Sequence, residues 1–111
     1  MRDKTVLLAE DNEKLNEGNL TLDIIAGIAS VDGIDLWLSL KEFALLLLLA
    51  RNKDTVLSAA YLYQEIWKSP LFDDKQSLKT RVSALRKKMA DADCAYTIRP
   101  VYGQGYRFET I

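Results

Sequence analysis

The chain has 111 residues, 49% of them apolar, and a formal net charge of −1. That length fits one domain able to bury its own core without disulfide or metal staples, and the apolar share excludes a disordered tract. One cysteine, Cys94, and no histidine exclude an internal disulfide, the common zinc ligand sets and Ser-His or Cys-His nucleophiles, so no cofactor and no enzymatic role are expected. A reduced, cytoplasmic setting follows, with Cys94 a passive surface or packing residue. The longest apolar run, Phe43 to Ala50, is far short of the roughly 18 residues a membrane span needs. The N-terminus lacks the apolar stretch of a signal peptide.

The near-neutral charge hides a gradient. Residues 1–42 carry nine acids and four bases, whereas residues 43–111 carry seven acids and eleven bases. Lys75, Lys79, Arg81, Arg86, Lys87 and Lys88 fall within fourteen residues. Such a cluster is either a footprint for a polyanion or a solvated helix face.

Thr5 to Ala9 reads as a short buried strand, and Asp11 to Asn19 as a polar turn region. Leu20, Leu22, Ile24, Ile28 and Val31 alternate loosely, as strand does. Asp32-Gly33 is a hairpin turn signal. A returning strand is expected through Ile34, Leu36 and Leu38, with Trp37 on its outer face. Ser39-Leu40-Lys41-Glu42 is a capping box, so a helix starts there and runs to Arg51, apolar nearly all round and therefore buried. Ser58 caps a second helix, Ala59 to Lys68, which Ser69-Pro70 ends. Asp73 or Asp74 caps a third, ending near Ala90.

The third helix is the most informative. Leu78, Val82, Leu85 and Met89 form one stripe within about 60° of arc. Gln76, Thr80, Ser83 and Lys87 lie opposite. Lys79 and Arg86 flank one edge, and Arg81 and Lys88 the other. A hairpin closes the chain: Tyr96 to Arg99, a Gly103-Gln104-Gly105 turn, and Tyr106 to Thr110, with Tyr106 and Phe108 on one face and Arg107 and Glu109 on the other. A helix entering a DNA major groove needs apolar anchoring behind, short polar side chains in front and cations at its rims. Residues 75–88 meet that need.

Five segments in this order resemble the effector domain of OmpR/PhoB response regulators: Leu20-Thr21-Leu22-Asp23; Val31-Asp32-Gly33 with Leu38 to Leu46; Val56-Leu57-Ser58 with Ile66-Trp67; Leu78 to Met89; and Val101 to Phe108. The resemblance covers residues 19–111. It implies an α+β winged helix-turn-helix: an N-terminal four-stranded antiparallel sheet, three helices and a C-terminal hairpin wing. It also implies binding to double-stranded promoter DNA, a head-to-tail dimer, and a contact to RNA polymerase through loop 68–74. No small-molecule substrate and no membrane partner are expected. Helix 74–90 reads the major groove in this family and the wing touches the backbone. The candidate DNA-contacting residues are Trp67, Gln76, Ser77, Lys79, Thr80, Arg81, Ser83, Arg86, Lys87, Tyr102, Tyr106 and Arg107. Trp67 would contact a phosphate through its indole N–H or, alternatively, serve as a core aromatic. Arg99 and Arg107 would meet DNA or line a solvated strand face.

The chain departs from the family where Ser83 and Ala84 stand in place of two arginines, where Lys79 replaces an acidic residue or Asn, and where Tyr102 replaces the wing arginine. Fewer arginines mean less bidentate readout of guanine. The alternative is therefore a winged helix working by protein contact, through heterodimerisation or polymerase docking. Separately, Lys4 to Leu15 is similar to the opening of a receiver domain, with Glu10 and Asp11 as its acidic pair. No phospho-acceptor Asp follows, so residues 1–18 read as a remnant, a strand plus turn, and not as a working phosphorylation site.

Overall fold

The computed structural model describes residues 13–71 and 74–111. The strand expected at Thr5 to Ala9, the pair Glu10-Asp11 and the alternative cap Asp73 lie outside the described residues.

A four-stranded antiparallel sheet comes first, built from β1 (Lys14–Glu17), β2 (Leu20–Asp23), β3 (Ile28–Val31) and β4 (Ile34–Asp35) in spatial order of sequence. Its buried side is Leu20, Leu22, Ala29 and Val31, the period-2 pattern of a half-buried sheet. The β3–β4 turn is Asp32-Gly33, with φ of 51° and 83°. Both central residues at positive φ match the right-handed twist of the flanking strands.

Two expectations fail in this sheet. Lys14–Glu17, read as a turn, pairs along its whole length with β2. The strand after Gly33 stops at Asp35 instead of running through Leu38. Asp35 Oδ1 accepts from the Trp37 N–H at 2.7 Å and Trp37 takes φ 56°, which ends the ladder. Trp37 is then 79% exposed.

Helix α1 (Leu40–Arg51) begins on the full capping box: Ser39 Oγ accepts from the Glu42 N–H, and Glu42 Oε1 accepts from the Ser39 N–H. Phe43, Leu45, Leu46, Leu49 and Ala50 are buried. Helix α2 (Ala59–Trp67) is capped by Ser58 and ends at Lys68 in the left-handed region, before Ser69-Pro70. Helix α3 (Lys75–Asp91) is capped by Asp74 and buries Leu78, Val82, Leu85 and Met89, the expected stripe.

The chain closes in a three-stranded sheet, ordered β5 (Val56–Leu57), β7 (Gly105–Thr110), β6 (Tyr96–Val101). The hairpin was expected; the added strand β5, between α1 and α2, was not. It pairs Val56 with Arg107 and Leu57 with Tyr106. Ile98 and Phe108 face each other across β6–β7 and are fully buried. Among the described residues, one core joins both sheets and helices α1, α2 and α3. Cys94 packs within it, and burial pushes its thiol pKa up. Asn19 stitches the two ends: its amide donates to Asp32 Oδ2 and to the Asp93 carbonyl, and its Oδ1 accepts from the Ala95 N–H.

Candidate nucleic-acid interface

The buried stripe of α3 fixes which side of the helix meets solvent. Gln76, Lys79, Thr80, Ser83, Arg86 and Lys87 are exposed, while Ser77 and Arg81 are half-buried. The short polar side chains therefore lie along the middle of the outer face. Gln76 Nε2 donates to Thr80 Oγ1 at 3.2 Å, and Lys87 pairs with Asp91 at 3.1 Å on the open surface. An exposed i,i+4 pair of this kind is weak and yields readily to a phosphate.

The start of α3 is pinned from α2. Asp74 Oδ2 accepts from the Tyr63 hydroxyl at 2.8 Å, and Asp74 Oδ1 accepts from the Ser77 N–H and hydroxyl. The Ser77 hydroxyl and the Tyr63 phenol hold the Asp74 carboxyl below the ordinary range. Bonding to Asp74 raises the Tyr63 phenol in turn. Ser77, expected at the DNA face, thus spends its hydroxyl on the cap.

Grooves run along both sides of α3. On one side Trp67, Gln76, Ser77, Thr80 and Arg81 line a shallow notch of about 230 Å³. Trp67 stacks on Tyr63 with centroids 4.6 Å apart and planes 2° from parallel, so the ring is half-buried and held with one edge at the notch. On the other side Lys75 and Lys79 face the wing tip, Pro100 to Tyr106, across an open groove of about 610 Å³. Farther along that edge, Ser83, Arg86 and Lys87 line a groove with Thr97 of β6. Tyr102 is fully exposed at the tip, and Tyr106 packs its ring against the core.

Three more of the expected cations are engaged by carboxylates. Lys88 leaves the rim: its Nζ donates to Glu42 Oε1 at 2.8 Å and to the Trp37 carbonyl at 3.0 Å. Its stem is long enough to turn inward, and the buried Glu42 carboxylate requires a partner. Arg99 and Arg107 on the wing both pair with Glu109, and the two guanidinium groups, Arg99 first, hold its carboxyl below the ordinary range. The sequence reading also missed Lys41, whose Nζ stands 5.8 Å from the Trp67 ring centroid. No local pattern signals that contact, because 26 positions separate the two residues. Among the described residues no group of three or more acidic, Cys or His side chains could hold a metal ion, and no helix is long and apolar enough to cross a membrane.

A three-helix unit between two antiparallel sheets, with a polar, cation-rimmed third helix beside a β-hairpin, defines a winged helix of the OmpR/PhoB type. The chain belongs to the family described as transcriptional regulatory protein, C terminal, whose model matches residues 33–108. Among solved structures it is similar to the DNA-binding domain of CpxR from E. coli, with TM-score 0.76 and 30% identity over 87% of this chain and 96% of that one. It is also similar to the DNA-binding domain of Klebsiella pneumoniae RstA, solved in complex with the RstA box, with TM-score 0.78 and 26% identity over 87% of this chain and 97% of that one. The response regulator SaeR of Staphylococcus aureus is 31% identical over 98 residues, which are 87% of this chain and 43% of that protein. The chain thus spans less than half the length of that relative.

Proposed function

We propose that this chain is the DNA-binding output module of a transcription regulator of the two-component type, and acts in the cytoplasm without catalysis. Helix α3 enters the major groove of double-stranded promoter DNA, with Gln76, Thr80 and Ser83 toward the bases. Arg81, Arg86 and Lys87 meet phosphates at its rims, and Lys79 reaches from one rim toward the bases. Trp67 and the wing residues Tyr102, Tyr106 and Arg107 touch the flanking backbone. The observation that carries this reading is the placement of α3: its apolar stripe is wholly buried, its polar face is open, and a groove runs along each side. A major-groove helix sits between two phosphate strands, and grooves on both sides leave room for them. A homodimer and a polymerase contact through loop 68–74 belong to the same reading and rest on the family resemblance. The DNA-binding unit takes residues 19–111, and strand β1 joins its sheet from residues 1–18, the segment read as a receiver-like remnant.

The test is selection of bound sequences from random duplex DNA, followed by binding at rising salt. Enrichment of a motif and an affinity falling steeply with salt are expected. No enrichment and no salt-dependent binding would favour the protein-contact alternative.

A further inference from the structure

Helix α1 carries a cation to the Trp67 side of α3. Lys41 is exposed in the first turn of α1, and its Nζ lies 5.8 Å from the centroid of the Trp67 ring. That ring is stacked on Tyr63, and Tyr63 holds Asp74 at the start of α3. Lys41, Trp67 and the N-terminal turn of α3 therefore form one connected wall. The notch on that wall is edged by Arg81, Ser77, Thr80 and Gln76. Arg81 is a cation in its lining, Lys41 is a second cation beside the Trp67 ring, and hydroxyl and amide groups line the rest.

The acids nearest Lys41 are engaged by other groups. Glu42, the next residue, is buried, and its carboxylate is engaged by Lys88 and the Ser39 N–H. Asp74 is taken up by Tyr63 and Ser77. Among the described residues Lys41 makes no ion pair, whereas Lys53, Lys87 and Lys88 do. An exposed ammonium over an aromatic ring keeps its donors open on the side away from the ring.

We propose that Lys41 is a DNA phosphate-binding residue, which acts with Arg81 to seat a backbone phosphate of the duplex beside the Trp67 ring. This deepens the proposed DNA-binding reading and rests on it. It extends the interface from α3 and the wing onto the first turn of α1. The contact is to the backbone, so it adds affinity to every sequence alike.

The experiment measures binding of the full chain to a labelled random-sequence duplex by fluorescence anisotropy across a range of salt, for wild type, Lys41→Gln and Lys41→Arg. Lys41→Gln is expected to weaken binding several-fold at low salt and to reduce the slope of log K against log salt by about 0.9, the value of one phosphate contact. Lys41→Arg keeps the wild-type slope, and the melting temperatures of all three agree because Lys41 is exposed. An unchanged slope in Lys41→Gln against a steep wild-type slope overturns this inference alone. A slope reduced equally in Lys41→Arg also overturns it, because the charge is then not what acts. A wild type without salt-dependent binding overturns both the inference and the reading beneath it.

Discussion

Lys88 of α3 reaches across to α1 and donates to the buried carboxylate of Glu42 at 2.8 Å, closing the capping box from outside. One carboxylate thus serves the α1 N-terminus and the α1–α3 contact together. Removing the cation leaves a charge in the core with only the Ser39 N–H to bond it. Lys88→Met is expected to destabilise the domain by roughly 2–3 kcal/mol, the range for a buried charge deprived of its partner. Thermal melting checks it; an unchanged melting temperature would show that solvent already screens the pair.

The same pair sets an acid limit. Burial pulls the Glu42 pKa up, but the Lys88 and Ser39 hydrogen bonds and the charges of Lys88 and Arg81 outweigh it, and the net shift is downward. A carboxyl depressed in the folded state contributes stability above its unfolded pKa, near 4.3 for Glu. That contribution is lost as pH falls through the folded value. Stability should therefore be level on the neutral side of about pH 5 and drop below about pH 4. Glu42→Gln should start lower at neutral pH and show a shallower acid limb. Parallel acid limbs in the two proteins would remove Glu42 from the cause.

Gly105 opens β7 at φ 150°, and a Cβ there would stand 2.0 Å from the Leu57 carbonyl oxygen and 2.8 Å from Ser58 Cα. Backbone supplies both clashes, so no side chain can move aside. Gly105→Ala is expected to detach β5 from β7 and destabilise by more than about 2 kcal/mol. Gly103→Asn is the control: Gly103 sits at φ 71° with open space around it, and Asn tolerates that region. Hydrogen exchange at Val56 and Leu57 should accelerate in Gly105→Ala and stay slow in Gly103→Asn.

The elements visible in the sequence are those written in local chemistry. Ser39 with Glu42, Ser58, and Asp32-Gly33 each act within a few residues, and the Leu78-Val82-Leu85-Met89 stripe repeats at helical spacing. What stayed hidden depends on distant partners. Lys14–Glu17 has little strand propensity and becomes β1 only through its ladder with β2. Val56–Leu57 is strand only because β7 lies beside it. Lys88 matches a rim cation by spacing, yet a carboxylate 46 positions away turns it inward. The face of α3 was legible; which of its cations remain free for a ligand was not.

Glu109 ties both wing arginines. Arg99 and Arg107 are directly opposed across β6–β7, and Glu109 pairs with each. Like charges set opposite one another repel, and the shared carboxylate relieves that. It also competes with phosphate for the same guanidinium groups. Glu109→Gln is expected to raise duplex affinity several-fold at low salt and steepen the salt slope. Anisotropy titration reads this, and an affinity equal to or below that of wild type would place the wing arginines off the DNA.

The outer face of α3 provides the broadest test of the proposed function. Arg86 and Lys87 point to the rim and outer face, where phosphates would lie, and Lys79 and Thr80 lie nearer the N-terminal half between the grooves. Arg86→Ala and Lys87→Ala should each weaken binding to all duplexes alike and reduce the salt slope by about 0.9. For Lys87 the pair with Asp91 is exposed and offers little competition. Thr80→Ala and Lys79→Ala should instead change sequence preference, by about 1–3 kcal/mol at the affected base pair where the contact is direct. None of the four should unfold the domain, because all four side chains are exposed. Val82→Asp should unfold it, because Val82 is fully buried in the stripe and the new carboxylate would have no partner there. Binding and melting are measured for each variant. If all four exposed residues can be replaced with no change in DNA affinity or preference, α3 does not enter the groove, and its polar face serves a protein partner or none.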